Sequence, residues 1–226
     1  MGPVTPRSWN RGFTVALIGP DGSGKTTVAR RLTGRLPLPL SHLYMSINPA
    51  SGNWLLPTTR LSWVLRGRPK HIDSNYREHR SRRVGQVAAG LQLANRIAEE
   101  WYRALVAAVL VRRGRIVLFD RHYYFDYWAT DIAAANRRKE ERLHGWSLER
   151  YPRPDLTIYL DAPPEVLLAR KREGTLASVS TLRRELLEVV GREPGSVILD
   201  ATRPAAEVVD SVVDAIHRFA AARRGA

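Results

Sequence analysis

Five short apolar runs recur along the chain: Thr14–Ile18, Ser41–Ile47, Arg115–Asp120, Asp155–Asp161 and Val197–Asp200. The first is rich in β-branched residues and suits a buried central strand, and the others read as further strands. Segments with apolar residues three and four apart lie between them. Val28, Leu32 and Leu36 mark a helix that stops at Pro37. Val84, Val87, Leu91, Ala94, Ile97, Trp101 and Leu105 mark a long one, and this stripe is expected to face the sheet. Pro163 and Pro164 open a further helix with Glu165 in its first turn, where an acidic side chain suits the dipole. Another is expected over roughly Thr181–Val190, ending at Gly191. Val208, Val212, Ile216 and Phe219 mark the closing helix. Gly114 is placed to cap the long helix, behind Arg112 and Arg113.

Strands that alternate with crossover-length helices imply a parallel sheet covered on both faces. The expectation is one α/β domain over residues 1–226, a three-layer sandwich of about five parallel strands. Residues 1–11 carry Gly2, Pro3 and Pro6 and read as a loose lead-in. Residues 48–73 lack a clear period. Their start, just past a strand end, puts them at the crevice of an open sheet, where substrate contact is expected. Residues 127–150, containing RRKEER, suit a mobile helical cover, and residues 170–180 suit a lid.

The first strand breaks into GPDGSGKTT, residues Gly19–Thr27, and a helix pattern follows. This is G-x-x-x-x-G-K-T with a strand before it and a helix after it, the P-loop or Walker A arrangement. Gly19, Gly22 and Gly24 let the backbone approach an anion closely, so that the amides around Asp21 and Ser23 form a nest. The helix adds its positive end. Lys25 can reach the β/γ-phosphates of a nucleotide, Thr26 offers a hydroxyl to Mg²⁺, and Thr27 lies in the first helical turn. The expected ligands are ATP and Mg²⁺.

The chain has no cysteine, which excludes disulfides and cysteine-ligated zinc or iron–sulfur sites and fits a reducing cytoplasm. Arg7 and Arg11 precede an apolar run in the manner of a signal peptide. That run enters the phosphate loop, so cleavage behind it would destroy the site. The longest apolar run, Ala104–Val111, is too short to span a bilayer. A soluble cytoplasmic protein with no membrane partner is expected. The net charge of +14 invites a nucleic-acid reading. The basic residues are nearly all arginine, however, and spread along the whole chain. A site holding two polyanionic ligands is the better use for them, since arginine grips phosphate bidentately.

Asp120-Arg121 directly follows the third strand and so reaches the edge where the phosphate loop opens. The aspartate can hold Mg²⁺ or polarise an acceptor hydroxyl, and the arginine can clamp phosphate oxygens. Asp21, a carboxylate inside the loop, fits a hydrogen bond from a ligand hydroxyl. Arg170, Lys171 and Arg172 end the helix after the fourth strand. They serve either the helix dipole or a lid whose arginine closes over the transferring group.

GPDGSGKTT, FDRHYYFD, RPDLTIYLDAPPEVLLARKR and VILDATRPAAEVV, in that order, resemble the thymidylate kinase group of P-loop phosphotransferases. The resemblance runs from Phe13 to the final helix. It implies that Asp21 meets the acceptor's 3′-hydroxyl, that Asp120 lies near Mg²⁺ and that Arg121 contacts the acceptor phosphate. Arg170 matches a lid arginine, and Thr202, Arg203 and Pro204 fall where the family holds adenine. Arg96 corresponds to a base- and phosphate-contacting helix arginine, although its spacing to Asp120 is longer. Dimerisation, common in the family, is a further implication.

Two departures affect the acceptor. Ile47-Asn48-Pro49-Ala50 stands where the family carries R-E-P-G-G. Phe125, Ala129 and Thr130 replace a serine and a tyrosine–glutamine pair. Losing buried hydrogen-bonding groups costs orders of magnitude in discrimination. The expected activity is therefore transfer of the γ-phosphoryl group of ATP to a nucleoside monophosphate or related nucleotide. The alternatives are a kinase acting on a hydroxyl of a nucleoside, sugar or other metabolite, and a regulatory nucleotide-binding module without transfer.

Overall fold

The computed structural model describes residues 12–36, 38–44, 56, 86–120, 122, 146–147, 149–172 and 174–225. The chain order is β1 (Phe13–Ile18), α1 (Lys25–Leu32), β2 (Leu40–Tyr44), α2 (Gln86–Arg112) and β3 (Ile116–Asp120). It continues with β4 (Leu156–Asp161), α3 (Pro164–Arg170), α4 (Leu176–Gly191), β5 (Ser196–Asp200) and α5 (Ala205–Gly225). The five strands form one sheet in the order β2-β3-β1-β4-β5, and every neighbouring pair is parallel.

Strand alternation divides the interior into two layers. Phe13, Val15 and Leu17 of β1, Ile116 and Leu118 of β3, and Leu156, Ile158 and Leu160 of β4 share one face. They pack with Val28, Ala29 and Leu32 of α1 and with Val208, Val212 and Ile216 of α5. Phe219 adds a ring contact with Phe13 at 5.3 Å between centroids. The intervening residues Ala16, Ile18, Val117, Phe119 and Tyr159 face the other way, against Ala107 of α2 and Leu186 and Val190 of α4. A helix layer on each side of the sheet completes the three-layer sandwich.

Three expectations are corrected. Helix α1 ends at Leu32, because the chain turns at Thr33–Arg35 with Gly34 at φ +80°; Leu36 packs against the core from beyond the helix. Helix α4 begins at Leu176, five residues before the expected start. Thr175 caps it by accepting from the Ser178 amide, while the Ser178 hydroxyl accepts from the Thr175 amide. Residues 176–180 of the segment expected as a lid form the start of this capped helix.

The third concerns α2. Its expected sheet-facing stripe includes Ala94, Trp101 and Leu105, yet Ala94 is exposed and Leu105 is 62% exposed. The inward face carries Ala107 together with Glu99, Glu100 and Arg103, at 7%, 1% and 2% exposure. Residues 104–111 of this helix are apolar on every side, so their large side chains do not identify the buried face. Three charged residues occupy positions that pattern alone assigns to water. Gly114 closes the helix as expected, with φ +75° and its amide donating to Val111 O.

Candidate active site

Parallel register brings the carboxyl ends of the strands to one edge. Leu17 and Tyr44 both pair with Asp120, Ile18 pairs with Tyr159, and Asp161 pairs with Asp200. The loop Gly19–Gly24 leaves β1 at that edge and turns into α1. Gly19 lies at φ +148°, and a Cβ there would meet Leu160 O at 2.6 Å and Ser23 Oγ at 2.8 Å. Gly22 lies at φ +86°, where a Cβ would meet Leu167 O of α3 at 2.5 Å. Both positions demand glycine on conformation and on space. Gly24 takes the left-handed conformation as the N-cap of α1. Gly22→Ala is expected to cost about 1–3 kcal/mol of stability through backbone strain and to weaken ATP binding, read by thermal melting and nucleotide titration. Unchanged values in both would contradict the close approach of α3.

Lys25 is buried and donates from Nζ to Gly19 O and Pro20 O, each at 2.8 Å. Asp21 Oδ1 lies 3.9 Å from that ammonium, and Asp21 Oδ2 lies 3.3 Å from Lys171 Nζ at the end of α3. The loop carboxylate thus stands between two lysines. Thr26 Oγ1 donates to Asp120 Oδ2 at 3.4 Å. These two oxygens, 94 residues apart in sequence, form the hard donor pair that suits Mg²⁺, which keeps waters and phosphate oxygens as its remaining ligands. His42 on β2 has its pKa lowered by burial, with Asp120 opposing that shift.

The other two strand-end carboxylates are also engaged. Asp161 receives Arg183 of α4 in a bidentate pair, Nε to Oδ1 and Nη2 to Oδ2, both at 2.7 Å. That hydrogen bonding is the main reason the guanidinium holds its proton more tightly than usual. Beneath the pair, burial raises the Tyr159 hydroxyl pKa, and the Asp161 charge raises it further. Asp200 Oδ1 accepts from the Thr202 amide at 2.8 Å and its hydroxyl at 2.6 Å, which lowers the carboxyl pKa. Arg170 turns toward this last loop, donating to Ala201 O at 2.7 Å and Thr202 O at 3.4 Å. Arg203 pairs with Glu207.

The structure therefore brings Gly19–Thr27 and Asp120 together and gathers Thr202–Pro204 with Arg170 at the β5 end. Arg121, the departures at 47–50, Phe125, Ala129 and Thr130, and most of the 48–73 and 127–150 segments lie outside the described residues. Arg96 lies on α2, and its side chain is likewise outside them.

Three features escaped sequence reasoning. Lys171, rather than its neighbour Arg170, is the α3-end cation that meets the loop. Its place in a basic run was visible, but its direction was not. The Asp161–Arg183 pair has no signal in spacing. On α2, Glu99 Oε1 accepts from the Leu56 amide at 3.0 Å and Glu99 Oε2 lies 3.9 Å from Arg103 Nη2. Arg103 Nη1 donates to Tyr44 O at 3.3 Å, anchoring this buried cluster at the end of β2. The four-residue spacing of Glu99 and Arg103 resembles an ordinary surface pair.

A parallel sheet whose central strand runs through a glycine loop into a helix, with a hydroxyl–carboxylate pair beside it, defines a P-loop phosphotransferase. No protein-family model matches the chain. Among curated proteins it is 34% identical over 220 residues to a probable thymidylate kinase of Pyrobaculum calidifontis, covering 93% of this chain and 98% of that one. It is 32% identical over 215 residues to a thymidylate kinase of Xanthomonas oryzae pv. oryzae, covering 91% and 82%. The structure of thymidylate kinase from Candida albicans shares the fold, with a TM-score of 0.62 at 19% identity over 92% of each chain. The chain belongs to the thymidylate kinase family and is an ATP-dependent nucleotide kinase. No helix among the described residues is long and apolar enough to cross a membrane.

Proposed function

We propose that this protein transfers the γ-phosphoryl group of ATP to the phosphate of a nucleoside monophosphate. The observation that carries this is the approach of Thr26 Oγ1 to Asp120 Oδ2 at 3.4 Å beside the glycine loop. The loop amides and Lys25 would hold the donor phosphates, and Thr26 and Asp120 would hold Mg²⁺. When bound, the ion would offset the charge that develops on the transferring phosphoryl group. Arg121 would clamp the acceptor phosphate, and Asp21 would accept from its sugar hydroxyl. Positioning and electrostatic stabilisation supply most of the rate in such a site. The relatives named thymidylate kinase make thymidine monophosphate the first acceptor to try. The departures at residues 47–50, Phe125, Ala129 and Thr130 favour a different or broader acceptor.

Those same departures support a second reading, phosphorylation of a hydroxyl in a nucleoside, sugar or other metabolite, with Asp120 or a neighbouring aspartate as base. ADP release measured over a panel of nucleoside monophosphates, nucleosides and sugars separates the two. Turnover with a monophosphate is expected. Turnover confined to unphosphorylated alcohols would contradict the first reading, and ATP binding without acceptor-dependent ADP release would leave a regulatory module.

A further inference from the structure

Residues 45–55 connect the end of β2 to Leu56, and α2 holds the chain on both sides of them. Arg103 Nη1 donates to the carbonyl of Tyr44, the last residue of β2, at 3.3 Å. One helical turn earlier, Glu99 Oε1 accepts from the Leu56 amide at 3.0 Å. The two side chains face each other, with Glu99 Oε2 3.9 Å from Arg103 Nη2. Both are buried. The first of these fixed points adjoins the candidate active site, since Tyr44 pairs in register with Asp120.

Stability gives little reason for such a pair, because a buried ion pair is often no better for it than apolar side chains of similar volume. What charged groups add is direction. Each holds one backbone group at a set distance from a rigid helix. Fixing both ends of a connection removes much of its freedom before a ligand arrives, and a ligand that binds against it then meets a smaller ordering cost. The connection held in this way contains Ile47-Asn48-Pro49-Ala50, which stand where the thymidylate kinase family carries R-E-P-G-G.

We infer that Glu99 is a positioning residue for the acceptor: with Arg103 it fixes the two ends of residues 45–55 and so governs acceptor affinity without governing that of the donor. This rests on the kinase reading above. The donor side is built on β1, the glycine loop and α1, whereas the two fixed points lie at the end of β2 and at Leu56.

The test compares Glu99→Gln with Glu99→Met. Both remove the charge opposite Arg103, but only glutamine keeps an oxygen for the Leu56 amide. Steady-state KM values are measured for ATP and for the common nucleoside monophosphates, thymidine monophosphate first. Glu99→Met should raise the acceptor KM by about tenfold, the scale of one hydrogen bond to a charged group. Glu99→Gln should raise it by no more than about threefold, and the KM for ATP should stay within about twofold in both. Equal acceptor KM values in the two variants would overturn the inference, whether both rise or neither does. A parallel rise in the KM for ATP would also overturn it, since that marks general loosening rather than positioning. A further arm needs no variant. In the ligand-free wild type the Leu56 amide should exchange its hydrogen at least about a hundredfold more slowly than an unfolded chain, and exchange at the unfolded rate would overturn the inference. Absence of acceptor-dependent ADP release with every monophosphate would instead refute the kinase reading, and this inference with it. The other kinetic outcomes arise only with turnover intact, so the two failures are distinct.

Discussion

Lys25→Ala is expected to lower turnover by at least ~10²-fold, the scale of removing one preorganised charge-stabilising donor. The ammonium is the buried cation of the phosphate loop, held by the carbonyls of Gly19 and Pro20 at 2.8 Å each. It is thus already fixed at the loop mouth, and no side-chain ordering is needed when the donor phosphates arrive. Alanine leaves the amide nest and the helix N-terminus intact, so a folded protein with weak residual binding should remain. A melting temperature near that of the wild type, together with the drop in steady-state ADP formation, is the expected pair of results. Near-normal turnover would remove Lys25 from the chemistry. Arg121→Ala is expected to cost a similar factor, with the loss following the acceptor phosphate rather than the nucleotide.

Arg103→Met should be the most destabilising single change on α2. The arginine is 2% exposed, among Glu99 at 7% and Glu100 at 1%. Methionine preserves the apolar stem but removes the cation that pairs with Glu99, as well as the hydrogen bond to Tyr44 O. Breaking a buried ion pair from one side leaves a charge without compensation and costs about 3–5 kcal/mol. At about 2–4 °C per kcal/mol for a chain of this size, melting should fall by roughly 10 °C. Adding Glu99→Gln to the variant should recover part of that loss, because a neutral amide tolerates burial better than a carboxylate. Urea unfolding of the single and double variants gives the coupling directly. A single-variant loss under about 1 kcal/mol, the value ordinary for a surface pair, would contradict the buried electrostatic cluster.

The sheet was legible because its strands are short, apolar on both faces and separated by helix-length connections. That combination has few solutions. The phosphate loop was legible because its chemistry needs glycine at Gly19 and Gly22, a lysine at Lys25 and a hydroxyl at Thr26, all within a few residues. Asp120 followed from its place at a strand end. Side-chain direction was less legible. The periodicity of α2 picked out Trp101 and Leu105, which are exposed, because the apolar run 104–111 has no distinctive buried stripe. Glu99, Glu100 and Arg103 carry no sequence signal of burial, and only the register of α2 against the sheet places them inside. Arg170 and Lys171 are neighbours in a basic run, yet one reaches the β5 loop and the other the phosphate loop. Successive residues at a helix end point in different directions, and composition does not say which goes where.

The most direct check on the central claim follows the labelled γ-phosphoryl group of ATP. The protein is incubated with γ-labelled ATP, Mg²⁺ and thymidine monophosphate, or whichever monophosphate the acceptor panel favours, and the products are separated. Label is expected in a nucleoside diphosphate, carried in a new phosphoanhydride bond and reduced at least ~10²-fold with Lys25→Ala. Label found only in a phosphate ester of an unphosphorylated alcohol, or only in inorganic phosphate, would contradict it.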